Sequence, residues 1–339
     1  MHRMSVSRAA FAAVGSAVAL VLAVPVLAVA LPLWLVAAMT RALARFCQPS
    51  MVKWPDLFEF HPRLGWKTIP HFRGHCLEER ADVFRVRTGS DGWAGTRALA
   101  DSDVVVFGDS YAFGYGVNVN QAFFAVDPTL RIKAIGAPGY NMVQELLVMQ
   151  EMASALRGKT VVWFIYFGND LYDNLAPEMN GYRMPFVAQT ARGDWRIVTE
   201  HVQAERWSCS VGKPRNHYVD RLFSPGFMAE RAFSACEFLI ERGQATCRAV
   251  SAELVVVTIP HPTLLRGATC RAPKIDGGYP DRRMQAICEK FHVPIVALRD
   301  VLDPTDYNPD DEHWNEQGHR KVAKLLGRLT QPSRAVMSA

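Results

Sequence analysis

The sequence has no cysteine pair at C-x-x-C spacing, no block of clustered Lys and Arg, and no repeat with a period of roughly 20–50 residues. The first absence argues against a zinc ribbon or a thioredoxin-like redox motif. The second argues against a nucleic-acid binder, which concentrates its positive charge. The third excludes a solenoid or propeller. A fourth absence is local: from Ala9 to Met39 there is no charged residue. What is present is globular in kind. The 339 residues are 49% hydrophobic and 21% charged, enough to bury a full core. The formal charge of +5 is a weak excess that suits an anionic membrane surface or an anionic substrate.

The uncharged stretch is long enough to cross a hydrocarbon core of about 30 Å as a helix. Arg3 and Arg8 flank one end, and Arg41 and Arg45 the other. The expectation is a single tilted transmembrane helix that contacts the lipid bilayer through residues 9–39. A two-pass hairpin broken near Pro25 and a signal peptide cleaved after Ala28-Val29-Ala30 are the rival readings. The flanking charges nearly balance and do not fix the orientation. Cys47 lies at the membrane edge; Cys76, Cys209, Cys236, Cys247, Cys270 and Cys288 follow. An even set beyond the anchor fits disulfides in an oxidising compartment, with Cys270–Cys288 as one loop closure, and hence a domain on the extracytoplasmic side. Buried reduced thiols are the alternative.

The chain divides into an anchor (1–48), an extended lead-in (49–100), a main domain (101–332) and a tail (333–339). Short apolar runs at Val104–Phe107, Ile132–Ile135, Val161–Phe167, Leu254–Ile259 and Pro294–Leu298 suit strands buried on both faces. Helical patterns lie between them. The one starting at Asn141 has Gln144 three residues on, close to a capping box. Alternation of this kind predicts crossover units on a parallel sheet, with ligands at the carboxyl ends of the strands. The lead-in reads as irregular, with one or two short strands around Gly89-Ser90-Asp91-Gly92. Residues 171–227 break the rhythm and read as an insertion over the carboxyl edge, a lid or substrate wall, against a merely peripheral decoration.

Four segments bring a reactive or backbone-exposing residue to that edge. Ser110 follows the first sheet run in "VVVFGDSYAFGYGV", Gly139 the second in "IGAPGYN", and Asn169 the third in "YFGND". Asp310 and His313 precede the last helix in "NPDDEHWNEQGH". The types are complementary. A serine hydroxyl needs a base, histidine is poised for it at neutral pH, and a carboxylate fixes the imidazole tautomer. Asp310, three residues before His313, is the expected carboxylate, with Asp311 as its rival. The backbone N–H groups of Ser110 and Gly139 and the side-chain amide of Asn169 would serve a developing oxyanion; Gly136 competes with Gly139. His261, Trp314 and Tyr111 are candidate substrate-pocket residues. Asn315 reads as the N-cap of the last helix and His319 as structural. A zinc site on His313 and His319 lacks standard spacing.

Together these motifs, in this order, resemble the SGNH or GDSL hydrolases over roughly residues 100–330. The resemblance implies a flavodoxin-like three-layer α/β/α sandwich, no metal or other cofactor, and hydrolysis or transfer of ester-linked acyl groups. "HWNEQGH" and the "LGWKTIP … GSDGW" lead-in are similar to membrane-associated members linked to surface polysaccharides. Two positions depart from the family pattern: Tyr111 stands where leucine is frequent, and Ala134 where asparagine is frequent. The expectation is a membrane-anchored serine esterase that removes acyl groups, acetyl above all, from a carbohydrate or another small ester. The alternatives are an O-acyltransferase that delivers the same acyl group to a sugar hydroxyl, and a non-catalytic scaffold subunit in a membrane polysaccharide complex. No nucleic-acid partner is expected.

Overall fold

The computed structural model describes residues 28, 30–36, 39, 57–76, 83–179, 182–203, 226–265, 276–309 and 311–329. The chain splits into two compact units, Met1–Lys53 and Trp54–Ala339. Of the first, the described residues are helical, and Leu31, Leu33, Trp34, Leu35, Val36 and Met39 are exposed. Most of the expected span 9–39 lies outside the described residues. Among those described, no helix is long and apolar enough to cross a membrane.

The second unit begins with two antiparallel hairpins, β1 (Phe58–His61) with β2 (Gly65–Thr68) and β3 (Arg73–Cys76) with β4 (Phe84–Arg87). The irregular lead-in expected here is therefore regular in part, and it is integral to the core. Leu57, Leu64 and Trp66 are at most 2% exposed. The indole N–H of Trp66 donates to the Pro138 carbonyl, and the Tyr140 hydroxyl donates to the Trp66 carbonyl. Lys133, only 1% exposed, pairs with Asp91 of the lead-in at 2.8 Å.

The central sheet contains β5 (Val104–Gly108), β6 (Ile132–Gly136), β7 (Thr160–Tyr166), β12 (Glu253–Ile259) and β13 (Ile295–Ala297). Its order is β13-β12-β7-β5-β6 and every pairing is parallel. This is the order of the flavodoxin-like doubly wound fold. The apolar runs read from the sequence start and stop within two residues of these strands. They are continuous because both faces are covered. Val105, Phe107, Val161, Trp163 and Val256 pack on one side with helices Met142–Glu151, Phe227–Ala249 and Tyr279–Phe291. Val104, Val106, Val162, Phe164 and Val257 pack on the other with helices Ser110–Phe113 and Glu316–Leu329. Three layers result. Asn141 caps its helix through a complete capping box with Gln144.

The insertion is less irregular than its composition suggests. Up to residue 203 it forms two small antiparallel hairpins, β8 (Glu178–Met179) with β9 (Tyr182–Arg183) and β10 (Phe186–Gln189) with β11 (Trp195–Val198). Residues 204–225 lie outside the described residues. Cys236, Cys247 and Cys288 are free and buried, and Cys76 is buried. The expected Cys270–Cys288 closure is not formed. Cys288 lies on the inward face of its helix, in the core that also holds Cys236 and Met284, and burial pushes its thiol up to about 12. Cys47, Cys209 and Cys270 lie outside the described residues.

Candidate active site

In the order of the sheet, β5 is the switch point: the chain moves to β6 on one side and to β7 on the other. Ligands of doubly wound folds bind in the crevice at the carboxyl ends of such strands. Ser110 is there, as the first residue of a one-turn helix that begins directly after β5. The Asp109 carboxylate caps that turn by accepting the Tyr111 N–H at 3.0 Å. Gly108 and Gly136 let β5 and β6 run flush at this end, since a Cβ on Gly136 would lie 2.2 Å from the Gly108 carbonyl oxygen.

Ser110 Oγ lies 2.7 Å from His313 Nε2, and His313 Nδ1 lies 2.7 Å from Asp311 Oδ2. Serine and histidine are 203 residues apart in sequence. The carboxylate on Nδ1 is Asp311, the rival to the expected Asp310; Asp310 itself lies outside the described residues. The reason is the loop geometry. The Asn308 N–H donates to the His313 carbonyl and the Asp311 N–H to the Asn308 carbonyl. This closed turn presents Asp311 and His313, two residues apart, on the same side. Asp311 Oδ1 also accepts the Glu312 N–H at 2.7 Å. Gly116 is what admits the turn: with φ +85°, it would bring a Cβ to 2.9 Å from Asn308 Nδ2 and 3.6 Å from His313 Cβ.

The electrostatics favour a basic imidazole. Burial alone would lower the His313 pKa, but the hydrogen bond and charge of Asp311, helped by Glu312 and Asp109, raise it above its ordinary value. Burial raises the Asp109 carboxyl to about 6, against the Tyr111 N–H, the His313 charge and the Asn169 amide. Asn169 follows β7 and is the N-cap residue of the short helix Asp170–Asp173. Gly139 has φ +78° and lies three residues beyond the end of β6. A Cβ there would lie 3.4 Å from Met179 Sδ, so the insertion's first hairpin borders the glycine.

Of the candidate pocket residues, two have other positions. Trp314 is fully buried and Tyr111 is 1% exposed, so neither lines a pocket. Both pack beneath the histidine: the rings of Tyr111 and Trp314 are 4.7 Å apart, and Tyr111 is 5.0 Å from His313. Such large apolar rings are drawn under the sheet edge by burial. His261 is at the site, with its Nε2 3.1 Å from Glu312 Oε2. Asn315 caps the last helix through the N–H groups of Gln317 and Gly318. His319 is buried and stacked on Phe123, and burial lowers its pKa to about 3. Sequence reasoning missed Glu312, Tyr166 and Tyr115, whose ring lies 4.8 Å from His313. The run Asp310-Asp311-Glu312 before the histidine was the available signal for Glu312; nothing marked the tyrosines.

No family model matches the chain, and no curated protein does. Solved structures do. The chain resembles G-D-S-L lipolytic proteins. A member of that family from Veillonella parvula is similar at 11% identity and a TM-score of 0.40, over 68% of this chain and 98% of the other. A GDSL-like lipase from Bacteroides thetaiotaomicron is similar at 14% identity and a TM-score of 0.39, over 69% and 89%.

Proposed function

We propose that the chain is a serine hydrolase of the SGNH type that cleaves ester-linked acyl groups through an acyl-enzyme. The observation that carries this reading is the continuous Ser110–His313–Asp311 hydrogen-bond chain at the carboxyl end of β5. His313 takes the Oγ proton as Ser110 attacks the acyl carbonyl. Asp311 holds the imidazole with Nδ1 protonated and stabilises its charged form. The oxyanion is met by the Ser110 and Gly139 N–H groups and the Asn169 amide. His313 then protonates the leaving alcohol, and water attacking through the same base releases the acid.

The substrate we favour is an O-acetylated carbohydrate near a membrane. Anchoring is supported by the uncharged run from Ala9 to Met39 and by the exposed apolar side chains of Leu31, Leu33, Trp34, Leu35, Val36 and Met39. The acyl group and the alcohol belong to this reading alone. The test is hydrolysis of p-nitrophenyl acetate and of acetylated oligosaccharide by the full chain, beside Ser110→Ala. Loss of both activities in the variant supports the reading; equal turnover by the variant overturns it. Acyl-sugar product above the hydrolysis background, with an added acceptor, would redirect the same acyl-enzyme to transfer.

A further inference from the structure

Glu312 stands between the orienting acid and the base, yet it takes no part in the proton relay. Its Oε2 accepts the Tyr166 hydroxyl at 2.8 Å and faces His261 Nε2 at 3.1 Å. Its backbone carbonyl accepts the Tyr111 hydroxyl. The three partners come from three segments: Tyr111 directly follows the nucleophile, Tyr166 ends β7, and His261 follows β12. His261 is itself oriented. Its Nδ1 accepts the Thr263 N–H at 3.3 Å and lies 2.7 Å from Thr263 Oγ1. The proton of the neutral ring is thereby assigned to Nε2, toward Glu312.

The rings extend the arrangement. Tyr166 stacks near His261 at 6.2 Å and packs on Tyr111 at 4.7 Å, and Tyr111 lies against His313. Burial would raise the Glu312 carboxyl, but the His261 hydrogen bond and charge, the His313 charge and the Tyr166 hydroxyl bring it down to about 2. Its outer edge meets water, since 47% of the side chain is exposed. The family's frequent leucine at position 111 would have no hydroxyl to offer the Glu312 carbonyl.

We propose that Glu312 is a positioning residue for His313: it gathers Tyr111, Tyr166 and His261 onto the catalytic turn, holds the imidazole on Ser110, and places a fixed negative charge beside it. The rate part of this inference rests on the serine-hydrolase reading; the positioning part does not. The charged or titratable groups that face Glu312 are Asp109, Asp311, His261 and His313, with the hydroxyls of Tyr111 and Tyr166.

The experiment compares the parent with Glu312→Gln and Tyr111→Phe. Two quantities are read: the His313 imidazole titration by NMR, assigned with His313→Asn, and the pH profile of kcat/KM on p-nitrophenyl acetate. In Glu312→Gln the His313 titration and the acidic limb should both move about half a unit or more to lower pH. The plateau should fall roughly tenfold as the turn loosens. Tyr111→Phe keeps the charge, so its plateau should fall several-fold while the limb stays in place. The inference is overturned if Glu312→Gln leaves the titration within about 0.1 unit and the plateau within about twofold of the parent. Should Glu312→Gln not fold, a Tyr166→Phe/His261→Gln double variant decides: a plateau loss of roughly tenfold supports the inference, and one under about twofold overturns it. A parent that cleaves no ester sinks the hydrolase reading, while the titration still tests the positioning.

Discussion

Asp311 holds the catalytic imidazole by its far nitrogen. The closed turn from Asn308 to His313 presents Asp311 to Nδ1, so Asp311→Asn should favour the wrong imidazole tautomer and reduce kcat by about 10³–10⁴-fold. Asp310→Asn should keep kcat within a few-fold of the parent, and steady-state kinetics on one ester separates the two. The sign of the pH dependence follows from the raised His313 pKa. The base works only when neutral, so kcat/KM should rise with pH through a limb lying above the ordinary imidazole value of about 6.5. A limb at or below that value would contradict the account. The sequence showed serine, histidine and an adjacent acid. It could not choose between Asp310 and Asp311, because spacing in a loop does not fix side-chain direction.

Among the elements, the strands were the most legible. Apolar runs covered on both faces have no alternative reading once helical patterns separate them. The capping box at Asn141 and the N-cap at Asn315 were visible as local chemistry. Of the lead-in, the short strand before Gly89 was legible and is β4; the other lead-in strands and the insertion hairpins were not, because they are only two to four residues long. The lead-in gives an energetic prediction. Lys133 is buried, its pKa lowered by burial against the pull of Asp91. Asp91→Ala strands that ammonium and should cost about 3 kcal/mol in urea unfolding, whereas Lys133→Met with Asp91→Asn should recover most of it. Equal losses in the single and double variants would show that the lead-in is held by other contacts. Gly116 makes the same point about the catalytic turn. A side chain there meets both the positive φ and Asn308, so Gly116→Val should lower activity as well as stability.

At the level of the whole molecule, buried titratable groups set the acid response. His319 titrates near 6.5 when unfolded and at about 3 when folded. A lowered histidine pKa means that the unfolded state takes up the proton first. Stability is therefore lost as pH falls from about 6.5 toward 3, by up to about 1.4 kcal/mol per pH unit for this one group. The buried carboxyls of Asp109, Glu145 and Asp170, raised by burial, act in the opposite direction, losing stability as pH rises through their folded values. The difference in unfolding free energy between the parent and His319→Asn should accordingly shrink from pH 7 to pH 4. A pH-independent difference would contradict the assignment. The central claim concerns Ser110, and the most direct measurement is labelling by a serine-reactive phosphonate, read by mass spectrometry of the intact folded chain and its peptides. The account predicts one adduct on Ser110, lost in Ser110→Ala and strongly slowed in His313→Asn. A folded parent that takes no label, or takes it on another serine, would contradict it.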